Sequence, residues 1–139
     1  HSHIDHLFAL LRRADREAIG RVRVHVLLDG RDVAETSALD YVDALEELLE
    51  TISAKPGRDY RIASGGGRMT TTMDRYGADW AMVERGWQTH VRGQARGFGS
   101  CRAAIETFRS EKPGIGDQQL PQFVVVDRDG GPIGAMRDG

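Results

Sequence analysis

The chain has 139 residues, 40% apolar and 29% charged, which is ordinary for a globular protein and enough to bury one core without disulfides. A formal net charge of −2 argues against a general nucleic-acid binder, whose footprint is a basic excess. One cysteine excludes an internal disulfide and a CxxC metal site, and no stretch approaches the roughly 18 apolar residues of a membrane-spanning helix.

From Ile4, apolar residues recur at Leu7, Phe8, Leu11 and Ala14, the spacing of a helix, which Gly20 is expected to close. Ahead of it, His1-x-His3-x-x-His6 has the look of a metal cluster. Zinc would want a fourth ligand and an outer hydrogen-bonding layer that the sequence does not identify, and the alternative is a helix-entry site facing a ligand. Arg21 to Leu28 alternates and then becomes wholly apolar, a strand whose end is buried on both faces as in a parallel sheet. His25 inside it reads as a satisfied core histidine. Ser37 and Asp40 resemble a capping box ahead of a second helix with Tyr41, Val42, Leu45, Leu48, Leu49 and Ile52 on one face. Pro56-Gly57 breaks the chain, and Tyr60 to Ala63 forms a shorter strand.

Gly65-Gly66-Gly67-Arg68 follows as a glycine-rich loop. It is neither a P-loop nor a dinucleotide fingerprint, because no Gly-Lys-Ser/Thr follows and the Gly-x-Gly-x-x-Gly spacing is absent. Either it lets backbone approach a ligand or it is a plain flexible connection. Trp80, Val83, Trp87 and Val91 make a third helical stripe with both tryptophans in the core, and His90 reads as surface. Ala104, Ile105 and Phe108 mark a fourth helix, with Cys101 in its first turn as a packed thiol rather than a catalytic one. After a loop at 111–119, Phe123 to Val126 is a strand, and Asp127 to Gly131 turns into a short extended segment, Ile133 to Met136. This order predicts an α/β fold: a mainly parallel sheet flanked by helices, in a three-layer sandwich, with residues 1–139 as a single domain.

Two polar runs carry the chemistry. Leu28-Asp29-Gly30-Arg31-Asp32 ends the first strand, and Gly67-Arg68 leads to Met73-Asp74-Arg75-Tyr76 beyond the second. The carboxyl edge of an open α/β sheet is where ligands bind. Arginines converging there suit a small ligand with more than one anionic group, because each guanidinium can form two parallel hydrogen bonds to a carboxylate or phosphate. Asp74 is placed to orient one of these arginines. No nucleophile with an adjacent base is readable.

With His1-Ser2-His3-Ile4-Asp5-His6-Leu7, the Asp-Gly-Arg-Asp run and Gly67-Arg68 to Met73-Asp74-Arg75-Tyr76 in one order, the chain resembles the cofactor-independent phosphoglycerate mutases, bisphosphoglycerate-independent enzymes of the alkaline phosphatase superfamily. The resemblance runs from His1 to Gly139. It departs from the familiar second motif, which has aromatic residues just after the arginine where Met69-Thr70-Thr71-Thr72 stands here. It implies a cytoplasmic two-domain enzyme of glycolysis and gluconeogenesis. One domain carries two manganese ions and a serine that receives the phosphoryl group; the other grips the glycerate. This chain is expected to be most of the second, a piece of a longer protein. By resemblance His1, Arg31, Asp32, Arg68 and Arg75 match substrate-binding positions, with no catalytic residue and no metal ligand among them. The partners implied are 3-phosphoglycerate, 2-phosphoglycerate and the metal-binding domain of the same polypeptide, with no nucleic acid and no membrane. The alternative is a stand-alone anion-binding or protein-interaction domain without catalysis.

Overall fold

Helix α1 (Ile4–Arg16) leads into strand β1 (Arg21–Leu28), helix α2 (Ala38–Ser53) and strand β2 (Asp59–Gly67). The remainder is a short helix α3 (Arg68–Thr71), helix α4 (Trp80–His90), strand β3 (Arg96–Phe98), helix α5 (Cys101–Glu111), a 3-10 turn (Asp117–Gln119) and strand β4 (Phe123–Val125). This is a computed structural model that describes residues 3–71, 77 and 79–136. The four strands form one sheet in the order β1-β2-β4-β3. β1 and β2 are parallel, as are β3 and β4, and the two pairs meet antiparallel at β2 and β4.

Alternation along β1 and β2 explains the layers. Val22, Val24, Val26, Tyr60 and Ile62 join the apolar core with Leu45, Leu49, Ile105 and Phe108 of α2 and α5. The register slips after Val24↔Ile62, so that His25 pairs with Ser64 on the other face, beneath α4. Helices therefore cover both faces, as the sequence predicts.

Several expectations need correction. The glycine run is not a loop: Gly65, Gly66 and Gly67 are the last residues of β2. A Cβ on Gly65 would lie 2.6 Å from both the Phe123 ring and Val26, and one on Gly67 would lie 2.3 Å from the Gln118 carbonyl oxygen. The glycines are there because the strand end is packed tightly. α1 ends at Arg16 rather than at Gly20, and Ala18 adopts the left-handed turn, with φ of 60°. Ser37 makes no side-chain cap; its hydroxyl donates to the Ala34 carbonyl, and the α2 N-terminus is capped instead by Asp117. Trp80 and Trp87 are exposed, at 74% and 47%, because α4 turns Gly86 and Thr89 inward instead. The segment expected to extend at 133–136 begins as a turn; the preceding Pro132 makes an isolated bridge to Val126, and the strand that pairs beside β4 is β3. Cys101 is fully buried, and burial pushes its thiol pKa well above the ordinary value.

Candidate anion-binding site at the carboxyl ends of β1 and β2

The parallel register pairs Leu28 with Gly67, so the next residue on each strand, Asp29 and Arg68, must emerge side by side. They meet as an ion pair, with Arg68 Nη1 donating to Asp29 Oδ1 at 3.2 Å. The same carboxylate folds the turn after β1. Its Oδ1 accepts from the Arg31 N–H at 3.2 Å and its Oδ2 from the Asp32 N–H at 3.0 Å. This is an Asx-type turn, in which a short side chain stands in for backbone acceptors. Hydrogen bonds from these amides and from Arg68 hold the Asp29 carboxyl below the usual carboxylate range despite its desolvation.

Arg31 and Asp32 are exposed, with Arg31 Nε 3.8 Å from Asp32 Oδ1. Arg68 is better anchored than Arg31: its side chain is 20% exposed and paired with Asp29, while its Nε is buried with no hydrogen-bond partner among the described residues. Behind it, the Thr70 hydroxyl lies 2.9 Å from the Gly67 carbonyl and 2.7 Å from that of Leu120, which fixes α3 to the segment before β4. The structure thus brings Arg31, Asp32 and Arg68 to one edge. His1, Asp74 and Arg75 lie outside the described residues.

Sequence reasoning did not single out Asp29 as a site residue. Its signal was a carboxylate directly after a buried strand end and ahead of Gly-Arg-Asp. An apolar groove of about 400 Å³ opens beside it, lined by Ile4, Leu7, Val26, Tyr41 and Leu45. Such a lining does not suit phosphate or carboxylate, which leaves the polar rim at Asp29, rather than the groove floor, as the candidate anion site.

The amino-terminal histidines have a local role. His3 Nδ1 accepts from the Asp5 N–H at 3.3 Å, and the His3 N–H donates to His6 Nδ1 at 3.4 Å, a reciprocal cap on α1. Among the described residues no group of three or more His, Cys, Asp or Glu could hold a metal ion, and no helix is long and apolar enough to cross a membrane. A second polar cluster lies under α4. Ser64 Oγ sits 2.6 Å from His25 Nδ1 and 2.7 Å from His90 Nδ1, with the two rings edge to face at 5.4 Å. His90 is therefore half-buried rather than on the surface, and desolvation lowers the pKa of both histidines.

Comparison with known proteins matches this arrangement to one family. The family model described as the BPG-independent PGAM N-terminus covers residues 1–139. The chain is 59% identical over 139 residues to a Leptospira interrogans protein named a probable 2,3-bisphosphoglycerate-independent phosphoglycerate mutase. It is 48% identical over 139 residues to the 2,3-bisphosphoglycerate-independent phosphoglycerate mutase of Trypanosoma brucei brucei. In both cases all of this chain aligns with 25% of the relative's length. A crystal structure of Leishmania mexicana phosphoglycerate mutase, determined at low cobalt concentration, superposes with a TM-score of 0.94 at 46% identity, covering 99% of this chain and 25% of that one. With its whole length, residues 1–139, matched by the family model, the chain belongs to the BPG-independent phosphoglycerate mutase N-terminal family.

Proposed function

We propose that the chain forms most of the glycerate-binding domain of a 2,3-bisphosphoglycerate-independent phosphoglycerate mutase. That enzyme would be an isomerase acting on 3-phosphoglycerate and 2-phosphoglycerate in the cytoplasm, within glycolysis and gluconeogenesis. The observation that carries the reading is the Asp29–Arg68 ion pair, which joins the two arginine-bearing segments where the parallel strands end. A phosphoglycerate is a small molecule with a carboxylate and a phosphate, and separated guanidiniums on a rigid edge suit that pattern. Arg31 and Arg68 would bind the anionic groups, and Asp32 would accept from a glycerate hydroxyl. His1 and Arg75 belong to the proposed ligand set by resemblance.

The contribution of these residues is positioning and charge neutralisation, which lowers a barrier by arranging reactants in advance. The phosphoryl-accepting serine and two manganese ions belong, in this reading, to the metal-binding domain of an alkaline phosphatase-like enzyme in the same polypeptide. Among the described residues no group of three or more His, Cys, Asp or Glu could hold such a centre.

The test is Arg31→Ala beside Arg128→Ala in the full-length enzyme. Arg31 is exposed at the strand end, while Arg128 is exposed in the turn after β4. Losing a charge-assisted hydrogen bond removes about 1.5–3 kcal/mol. At tenfold per 1.36 kcal/mol, kcat/KM should fall roughly ten- to 160-fold for Arg31→Ala with little change in melting. Arg128→Ala should match the wild type. Near-normal efficiency in Arg31→Ala, or loss only through unfolding, would refute the substrate-site reading.

A further inference from the structure

We propose that Asp29 is a positioning residue for this site, its carboxylate locking the Arg31–Asp32 turn and the Arg68 guanidinium into one fixed arrangement. The inference rests on the substrate-site reading above and adds to it a residue that would touch no ligand. A carboxylate at the mouth of an anion site needs a reason, because it repels the ligand. Here the reason is geometric. Two oxygens serve three donors from two segments that are 39 residues apart in sequence: the Arg31 and Asp32 amides and Arg68 Nη1.

A guanidinium is planar, with its five N–H groups in a rigid fork. Holding it at Nη1, with the side chain only 20% exposed, restricts the direction of the whole group. The same carboxylate holds the backbone from which Arg31 and Asp32 project. Recognition of a small dianion requires this fixed spacing, since a group displaced by about 1 Å loses much of its effect. Asp29 is only 30% exposed at its side chain, and the Leu28↔Gly67 register brings it to Arg68 without help from a flexible loop.

The test turns on opposite signs. If Asp29 were only a nearby negative charge, Asp29→Asn would relieve repulsion and leave anion binding equal or tighter. If Asp29 positions the arginines, the same substitution should weaken it. An amide keeps one acceptor oxygen and loses the charge, so it cannot serve three donors. The full-length enzyme carrying Asp29→Asn, Asp29→Glu, Arg68→Ala or Asp29→Asn with Arg68→Ala is assayed for kcat and KM with 3-phosphoglycerate, alongside thermal melting.

For Asp29→Asn a ten- to hundredfold fall in kcat/KM is expected, in the range of one charge-assisted hydrogen bond. Asp29→Glu, with the charge kept but displaced by one methylene, should fall between it and the wild type. The double variant should lose clearly less than the product of the two single losses, because part of the Asp29 effect is delivered through Arg68. Unchanged or improved efficiency in Asp29→Asn, or strictly multiplicative losses in the double variant, overturns the proposal. If Asp29→Asn fails to fold, Asp29→Glu decides: full efficiency in that variant overturns the proposal. Silence of Arg68→Ala and Arg31→Ala together refutes the substrate-site reading itself, and Asp29 with it. Large effects at both arginines with none at Asp29 overturn only the positioning role.

Discussion

Replacing Asp117 by alanine should strip a large share of the stability from this fold, and the structure allows the loss to be worked out. The side chain is fully buried. Its Oδ2 accepts from the Ala38 N–H at 2.7 Å, capping α2, and its Oδ1 accepts from Arg109 Nη2 at 2.6 Å. That nitrogen also donates to the Thr36 carbonyl at 2.8 Å, while Arg109 Nε is buried without a partner. Losing an N-cap costs about 1 kcal/mol. Removing one member of a buried ion pair costs about 3–5 kcal/mol, because the other charge is left uncompensated. The two overlap in one side chain, and Arg109 is a quarter exposed, so a combined loss of about 3–5 kcal/mol is expected. A domain's whole stability is typically about 5–15 kcal/mol.

Urea melts of Asp117→Ala should show a lower midpoint at an unchanged slope, the mark of lost stability rather than altered compactness. Asp117→Asn should be intermediate, since asparagine still caps a helix but does not neutralise a guanidinium. Asp117→Leu combined with Arg109→Met should lose less than Asp117→Ala, because no buried charge is then left unpaired. A loss below about 1 kcal/mol in Asp117→Ala would refute the reasoning, since even an N-cap alone is worth that much.

Two further outcomes follow from the polar cluster under α4 and from the turn after α1. The histidines around Ser64 have lowered pKa values in the fold, so below pH 6.5 the unfolded chain binds protons that the native state does not. Stability should therefore be complete above pH 6.5 and fall as pH drops below it; His90→Gln should flatten that fall, and chemical denaturation of both proteins at pH 7.5 and 5.5 checks it, equal wild-type stability at the two values being the contrary result. Ala18→Gly should stabilise the chain by about 0.5–1 kcal/mol, because a left-handed non-glycine residue costs about 1–2 kcal/mol and glycine's greater unfolded entropy returns part of it. A glycine variant melting at or below the wild-type temperature would contradict that assignment.

The sequence made legible what apolar spacing controls. β1, α2, α5 and β4 all lie where Val22 to Leu28, Val42 to Ile52, Ala104 to Phe108 and Phe123 to Val125 announce them. Features set by distant partners were not legible. Ser37 carries the composition of a cap, but the cap comes from Asp117, 79 residues beyond Ala38. Three glycines in a row read as a loop by propensity, although they are strand residues pressed against Phe123, Val26 and Gln118. The tryptophans of α4 follow helical spacing but lie on its outer side, which no periodicity alone can assign. In the site, the arginines were visible as residue types at strand ends. Their mutual geometry was not, because it depends on the Leu28↔Gly67 register.

That register leaves Arg31 and Arg68 unequally anchored. Arg68 leaves a strand end that cannot move freely: Gly67 donates its N–H to the Leu120 carbonyl at 2.9 Å and abuts the 3-10 turn. The same turn carries Asp117, which caps α2. Among the described residues Arg31 has no comparable footing; its side chain is 67% exposed, with Nε 3.8 Å from Asp32 Oδ1. An unanchored arginine loses about 1.5–2 kcal/mol of rotamer freedom when a ligand orders it, whereas Arg68 has met most of that cost during folding. Arg68 would then supply rigidity and Arg31 reach, with the first anion seated against Arg68 and Arg31 closing over the second. The backbone under Arg31 is tied to the rigid half by Asp29, so that one carboxylate limits how far the reaching arm can stray.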